Sequence, residues 1–136
     1  MSGGPSVGQP ADRLYTKEHE WVKVDSDTAT IGITDYAQSS LGDIVYVEMP
    51  KTGARIERSK TMGVVESVKA VSDIYAPVSG TVMEVNATVD SDPATVNGDP
   101  YGAGWLIKVT VDGDASQGLL AASEYDALLD AQPHAT

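Results

Sequence analysis

At 136 residues, 41% of them hydrophobic, the chain is one domain by length and large enough to bury a core without covalent staples. It has no cysteine, which excludes disulfides, thiolate nucleophiles and Cys-ligated metals, and its histidines, His19 and His134, lie too far apart in sequence to suggest a metal site. With 20 acidic against 9 basic residues the formal charge is −11, which argues against nucleic acid and anionic membrane surfaces and favours docking onto basic protein faces.

Met1-Ser2-Gly3-Gly4-Pro5-Ser6-Val7-Gly8-Gln9-Pro10 has neither a charged n-region nor an apolar h-region, so it does not read as a signal peptide. It reads as part of a disordered lead-in over residues 1–13. No apolar run reaches membrane-spanning length, and the expected compartment is the cytoplasm. Trp21-Val22-Lys23-Val24 and Ala29-Thr30-Ile31-Gly32-Ile33 alternate apolar with polar or small residues around Asp25-Ser26-Asp27, a hairpin signal. In Thr34–Gly42, Asp35 followed by Gln38 resembles a capping box and Gly42 stands where a helix would stop, so a short helix is expected there.

Asp43–Met49 reads as a strand ended by Pro50, Lys51-Thr52-Gly53 as a turn, and Ala54–Ile56 as a short strand. Two further β-type runs follow, Met62–Val68 and Val71–Val78, and then Gly80–Asn86. Asp90-Ser91-Asp92-Pro93 and Asn97-Gly98-Asp99-Pro100 are turn clusters. Trp105–Val111 reads as the last strand. Apolar residues at 119, 120, 125, 128 and 129 predict an amphipathic helix over Ser116–Asp130, with a frayed tail at 131–136. Phe is absent, so the aromatic core is expected from Trp21, Trp105 and the 6 Tyr.

A faint internal repeat relates Gly42–Val47 to Gly80–Val85 and Gly63-Val64-Val65-Glu66 to Gly104-Trp105-Leu106-Ile107. Both halves read strand, turn, short strand, strand. A β repeat of this kind suggests two related sheets packed face to face.

Lys69 sits between the two central β runs, at the junction of the halves. No Gly, Pro or Asn marks the turn at Lys69-Ala70, although tight hairpins usually carry such residues. A lysine there places an amine on a four-carbon stem at the most exposed point of a rigid ribbon, within reach of a modifying enzyme. The same pattern also suits an ordinary surface lysine. No Gly-x-Ser-x-Gly elbow, Gly-x-Gly-x-x-Gly or P-loop is present, and no nucleophile-plus-base set can be assembled. What remains is a small β scaffold presenting one lysine, the profile of a non-catalytic carrier whose hard chemistry belongs to a cofactor.

The ordered motifs Tyr15-Thr16-Lys17-Glu18-His19-Glu20-Trp21-Val22, Ile31–Gln38, Leu41–Glu48, Val65-Glu66-Ser67-Val68-Lys69-Ala70-Val71-Ser72-Asp73, Ala76–Gly80 and Asn97–Gly102 together resemble the glycine cleavage system H-protein family of lipoyl carriers. The likeness covers Leu14 to Tyr125. It implies a mainly β, lipoyl-domain-like flattened β-sandwich (a barrel-sandwich hybrid) over 14–130, with a short helix after the first hairpin and a C-terminal helix. It implies lipoate attached to Lys69. It also implies a shuttle that takes the aminomethyl group of glycine from the PLP-dependent glycine decarboxylase (P protein) to the tetrahydrofolate-dependent aminomethyltransferase (T protein), with reoxidation by dihydrolipoyl dehydrogenase (L protein). Lipoylating enzymes complete the implied partners of a cytoplasmic, bacterial-type monomer. Glu18, Glu20, Ile33 and Asp73 match positions lining the cleft into which the family folds its loaded arm; carboxylates there suit an amine cargo. An ordinary solvated acid, or for Ile33 a core residue, is the alternative at each.

Other carriers fit less well. Biotin carriers place Met on both sides of the lysine, where this chain has Val68 and Ala70, and keto-acid dehydrogenase lipoyl domains place Asp just before it. An H-like protein that relays lipoyl or octanoyl groups in lipoate metabolism is not separable on sequence.

Overall fold

The computed structural model describes residues 10–113 and 118–131. In chain order its elements are β1 Leu14–Tyr15, β2 Glu20–Asp25, β3 Thr28–Ile33, α1 Asp35–Leu41, β4 Ile44–Glu48, β5 Arg55–Ile56, β6 Thr61–Ser67, β7 Val71–Tyr75, β8 Gly80–Val85, α2 Ala87–Ser91, α3 Thr95–Gly98, β9 Ile107–Val111 and α4 Ala122–Ala131. Of the expected lead-in, residues 1–9 lie outside the described residues, as do Ser116, His134 and the tail beyond 131. Arg13, at the end of that lead-in, is held in place. Its guanidinium lies 4.6 Å from the Trp21 ring centroid and donates to the Tyr101 carbonyl.

The strands form two antiparallel sheets. One has the order β1-β2-β3-β9-β8-β5 and the other β4-β6-β7. Alternation decides which side chains meet between them, because successive residues of a strand point to opposite faces. Val22, Ile31, Val82, Ile107 and Val109 of the larger sheet share one buried cluster with Val47, Val65 and Ile74 of the smaller. Each such side chain contributes roughly 1.5–3 kcal/mol by leaving water. Within the smaller sheet β6 runs close to β4 at Gly63, where a Cβ would collide with the Glu48 carbonyl. The result is the mainly β flattened sandwich expected from the sequence. The repeat is visible in it in part. β4 pairs with β6 in one sheet as β8 pairs with β9 in the other, but Gly104 precedes its strand whereas Gly63 lies within one.

Several local expectations change. The cap of α1 is Thr34, one residue before Asp35. The Thr34 hydroxyl oxygen accepts from the Ala37 amide, while Gln38 donates to the Asp35 carboxylate on the next turn. β7 ends at Tyr75, and Ala76, Pro77 and Val78 continue as buried non-strand chain. The turn clusters near 90 and 97 carry two short helices, α2 capped by Asn86 and anchored by Val89, and α3 anchored by Val96. Trp105 and Leu106 precede β9. Leu119 and Leu120 are not helical. Leu120 exchanges both backbone hydrogen bonds with Tyr15, at 2.8 and 2.7 Å, so α4 starts only at Ala122. The aromatics do not form one core. Tyr15, Trp21 and Tyr125 build a separate cluster beneath α4, Trp105 is half-buried, and Tyr46 is exposed.

Candidate functional site

The last ladder pair of the β6–β7 ribbon is Glu66 with Val71, and the chain reverses over Ser67-Val68-Lys69-Ala70. Ser67 explains how this tip closes without glycine. Its amide donates to the Ala70 carbonyl at 2.8 Å, and its hydroxyl oxygen accepts from the amides of Lys69 and Ala70 at 3.2 and 3.1 Å. A side-chain oxygen thus takes over part of the turn. Among the described residues the left-handed non-glycine positions are His19, Ser26 and Ser59, none of them in the tip.

The tip is also tied to the body. The Val68 amide donates to the Asp43 carbonyl at 3.0 Å, and the Lys69 stem lies beside Gly42, its Cε 3.6 Å from where a Cβ would stand. Gly42 ends α1 at φ 81°, a conformation that disfavours side chains. Lys69 itself is exposed, and its amine has no hydrogen bond or ion pair among the described residues. Val68 and Val71 flank it with about two thirds of their surface in water, at 67% and 68%.

The residues expected to line a cleft separate into two groups. Glu18 and Glu20 lie on the wall of one cavity of about 360 Å³, shared with Lys17, Arg58, Tyr75 and Leu120. Glu20 opens β2 and is buried. Its two oxygens accept from the Thr16 hydroxyl at 2.6 Å and from the Tyr75 amide at 3.1 Å, so it joins the hairpin to the lysine-bearing ribbon. Burial pushes its carboxyl up to about 7, against those two hydrogen bonds, which favour the anion; the charge of Glu18 adds to the rise. Glu18 is exposed.

Asp73 and Ile33 are not on that wall. Asp73 is exposed on β7, on the same strand face as Tyr75 and between it and the tip. Ile33 pairs with Glu20 across the β2–β3 ladder, but its side chain belongs to the main core.

Sequence reasoning missed three contributors. Thr16 organises the turn before β2: its hydroxyl oxygen accepts from the amides of Glu18 and Glu20 while donating to the Glu20 carboxylate. The Thr-x-x-x-Glu spacing is the signal that could have found it. Tyr75 contributes a backbone amide, which no residue type reveals. His19 has partners that its sequence position does not reveal. Its Nδ1 is 2.7 Å from the Tyr125 hydroxyl, which is 2.8 Å from that of Thr34, and its ring lies against Tyr36. Burial lowers the His19 pKa and raises that of Tyr125, so the neutral forms hold α4 onto the start of α1. Among the described residues, no group of three or more His, Asp or Glu could hold a metal ion, and no helix is long and apolar enough to cross a membrane.

The family model for the glycine cleavage H-protein matches residues 13–132. A probable glycine cleavage system H protein of Natronomonas pharaonis is 55% identical over 122 residues, covering 90% of this chain and 97% of the relative. The glycine cleavage system H protein of Opitutus terrae is 57% identical over 122 residues, covering 88% and 96%. The crystal structure of a glycine cleavage system H protein from Mycobacterium marinum superposes with a TM-score of 0.82 at 42% identity, covering 89% of this chain and 98% of that one.

Proposed function

The chain belongs to the glycine cleavage H-protein family, and from that membership we propose that it is the lipoyl-lysine carrier of a glycine cleavage system, with the lipoyl group on Lys69. The observation that carries the assignment is the tip itself: an exposed amine, unpaired among the described residues, at the end of a two-stranded ribbon closed by a serine and tied to the body at Asp43. The residues suit the group. Attachment makes an amide bond between Nζ and the carboxyl of an activated lipoyl donor, with loss of a proton and of the donor's leaving group. An exposed amine is open to that attack, and the carrier unit runs over 14–130. When bound, lipoate supplies a dithiolane that opens to accept a carbon fragment and is reclosed by oxidation.

The chain's own contribution is holding and shielding. Glu20 stands at the wall of the cavity, half-ionised near neutrality. A cationic amine entering there draws the carboxyl to its anionic form and gains a charge-assisted hydrogen bond. Glu18 adds negative potential at the same wall, and Asp73 does so on the ribbon face leading to it. Ile33 supports Glu20 from the core side. The chain performs no bond chemistry on glycine by itself. It presents the arm in turn to a glycine decarboxylase, an aminomethyltransferase and a dihydrolipoyl dehydrogenase, after a lipoylating enzyme has loaded it, and it works as a cytoplasmic monomer.

The test is enzymatic lipoylation of wild type and Lys69→Arg, read by intact mass. Arg keeps length and charge but is not acylated in this chemistry. Wild type gains one lipoyl increment and the variant none, with the circular dichroism spectrum unchanged. Modification of the Arg variant at another lysine, with glycine cleavage retained, would overturn the assignment.

A further inference from the structure

Asn97 spends its side chain on the loop beneath the lysine. Its Nδ2 donates to the Gly42 carbonyl and to Gln38 Oε1, both at 2.9 Å, and its Oδ1 accepts from the Ile44 amide at 2.9 Å. The backbone partners settle the amide's orientation, since Ile44 offers a donor and Gly42 an acceptor. The partners lie 53 to 59 residues away, so these are tertiary bonds and no local turn. Asn97 is itself held, because its neighbour Val96 is fully buried and anchors α3 in the main core.

Between Gly42 and Ile44, whose backbones Asn97 grips, stands Asp43, whose carbonyl receives the Val68 amide at 3.0 Å. The stem of Lys69 lies over Gly42. A continuous path therefore runs from the core through Val96 and Asn97 to the 42–44 loop, and from there to the tip.

We propose that Asn97 is a positioning residue for Lys69: by clamping Gly42 and Ile44 it fixes the Asp43 carbonyl to which the tip is tied, and so sets the pose in which the amine meets the enzyme that acylates it. The proposal rests on the carrier reading for its consequence, though not for its geometry. Without the clamp, Gly42 keeps only its amide bond to the Gln38 carbonyl, its own carbonyl is released into the wide range open to glycine, and the Asp43 carbonyl moves with it. The ribbon persists, because Ser67 closes it locally.

The experiment compares wild type, Asn97→Ala, Asn97→Asp and a core control, Val109→Ala, in two measurements. Asp is nearly isosteric but sets a carboxylate oxygen against the Gly42 carbonyl, and it serves if the Ala variant folds poorly. The first measurement is native-state hydrogen exchange on unmodified protein. Both Asn97 variants should speed exchange of the Val68 amide about tenfold relative to the Val109 amide, because local opening of the tip becomes easier. The core control loses stability without that selective change. The second is the kinetics of lipoate attachment with a purified lipoylating enzyme. The Asn97 variants should lose about tenfold in kcat/KM, and Val109→Ala should stay near wild type at temperatures where it is folded. Unchanged Val68 exchange in both Asn97 variants would overturn the proposal, as would wild-type attachment efficiency in both. The exchange measurement needs no lipoate. A wild-type protein that never accepts the group would therefore sink the carrier reading alone and leave the clamp to be judged on exchange.

Discussion

Replacing Glu20 with Gln tests the claim that burial controls the ionisation of the cavity carboxyl. The folded protein lifts this group from 4.5 to about 7. As pH rises through that interval the unfolded chain releases the proton while the folded chain keeps it. The folded state then binds more protons, so stability falls with rising pH and levels off above about 7. At 1.36 kcal/mol per pKa unit the shift corresponds to about 3 kcal/mol. Gln cannot ionise and removes this slope. It also costs something at every pH, because the Thr16 hydroxyl already accepts from two amides and can only donate toward residue 20. Gln has one acceptor oxygen for two donors, and the lost bond is worth about 1 kcal/mol.

The variant should therefore be less stable than wild type by about 1 kcal/mol at pH 4 and more stable by about 2 kcal/mol at pH 8. Urea unfolding followed by fluorescence of the buried Trp21, at five pH values across that range, measures the crossover. A difference that stays constant with pH would refute the burial argument. A variant that loses ground as pH rises would show that the bonds from Thr16 and Tyr75 dominate and hold Glu20 as an anion.

Gly63→Ala should destabilise the protein by about 3 kcal/mol or more in the same assay, since its Cβ meets the Glu48 backbone across the sheet; Gly98→Ala, with nothing within 4 Å, should be neutral or stabilise by roughly 0.5–1 kcal/mol. Tyr125→Phe should cost about 1–2 kcal/mol in urea unfolding, because the buried Thr34 hydroxyl and His19 Nδ1 lose their partner at once. The net charge of −11 should steer the carrier onto basic partner faces, so the KM of the aminomethyltransferase for it should rise with salt while kcat changes little; a flat KM would assign recognition to the apolar tip residues Val68 and Val71.

Wherever a signal is local, the sequence determined the outcome. Alternation set the strands because a pleat repeats every two residues, and Gly42 stopped α1 because few other residues accept its φ. Lys69 stood out because two β runs left it alone at their junction, and a set of ordered motifs along the chain located the family. What the tertiary structure alone decided involves partners far away in sequence. Leu119 and Leu120 carry helical spacing, but Tyr15, at the other end of the chain, recruits Leu120 into a β-bridge. The short helices α2 and α3 have too few residues for a period and depend on one buried valine each, Val89 and Val96. Glu20 reads as a charged surface acid; only its burial beneath the ribbon raises its pKa to about 7, against the hydrogen bonds from Thr16 and the Tyr75 amide. Asn97 reads as a turn residue, and only the fold brings Gly42 and Ile44 to it. The reason is common to all four: a side chain's hydrogen-bonding and desolvation depend on what surrounds it, and in a sandwich most of those surroundings are supplied by strands and loops distant along the chain.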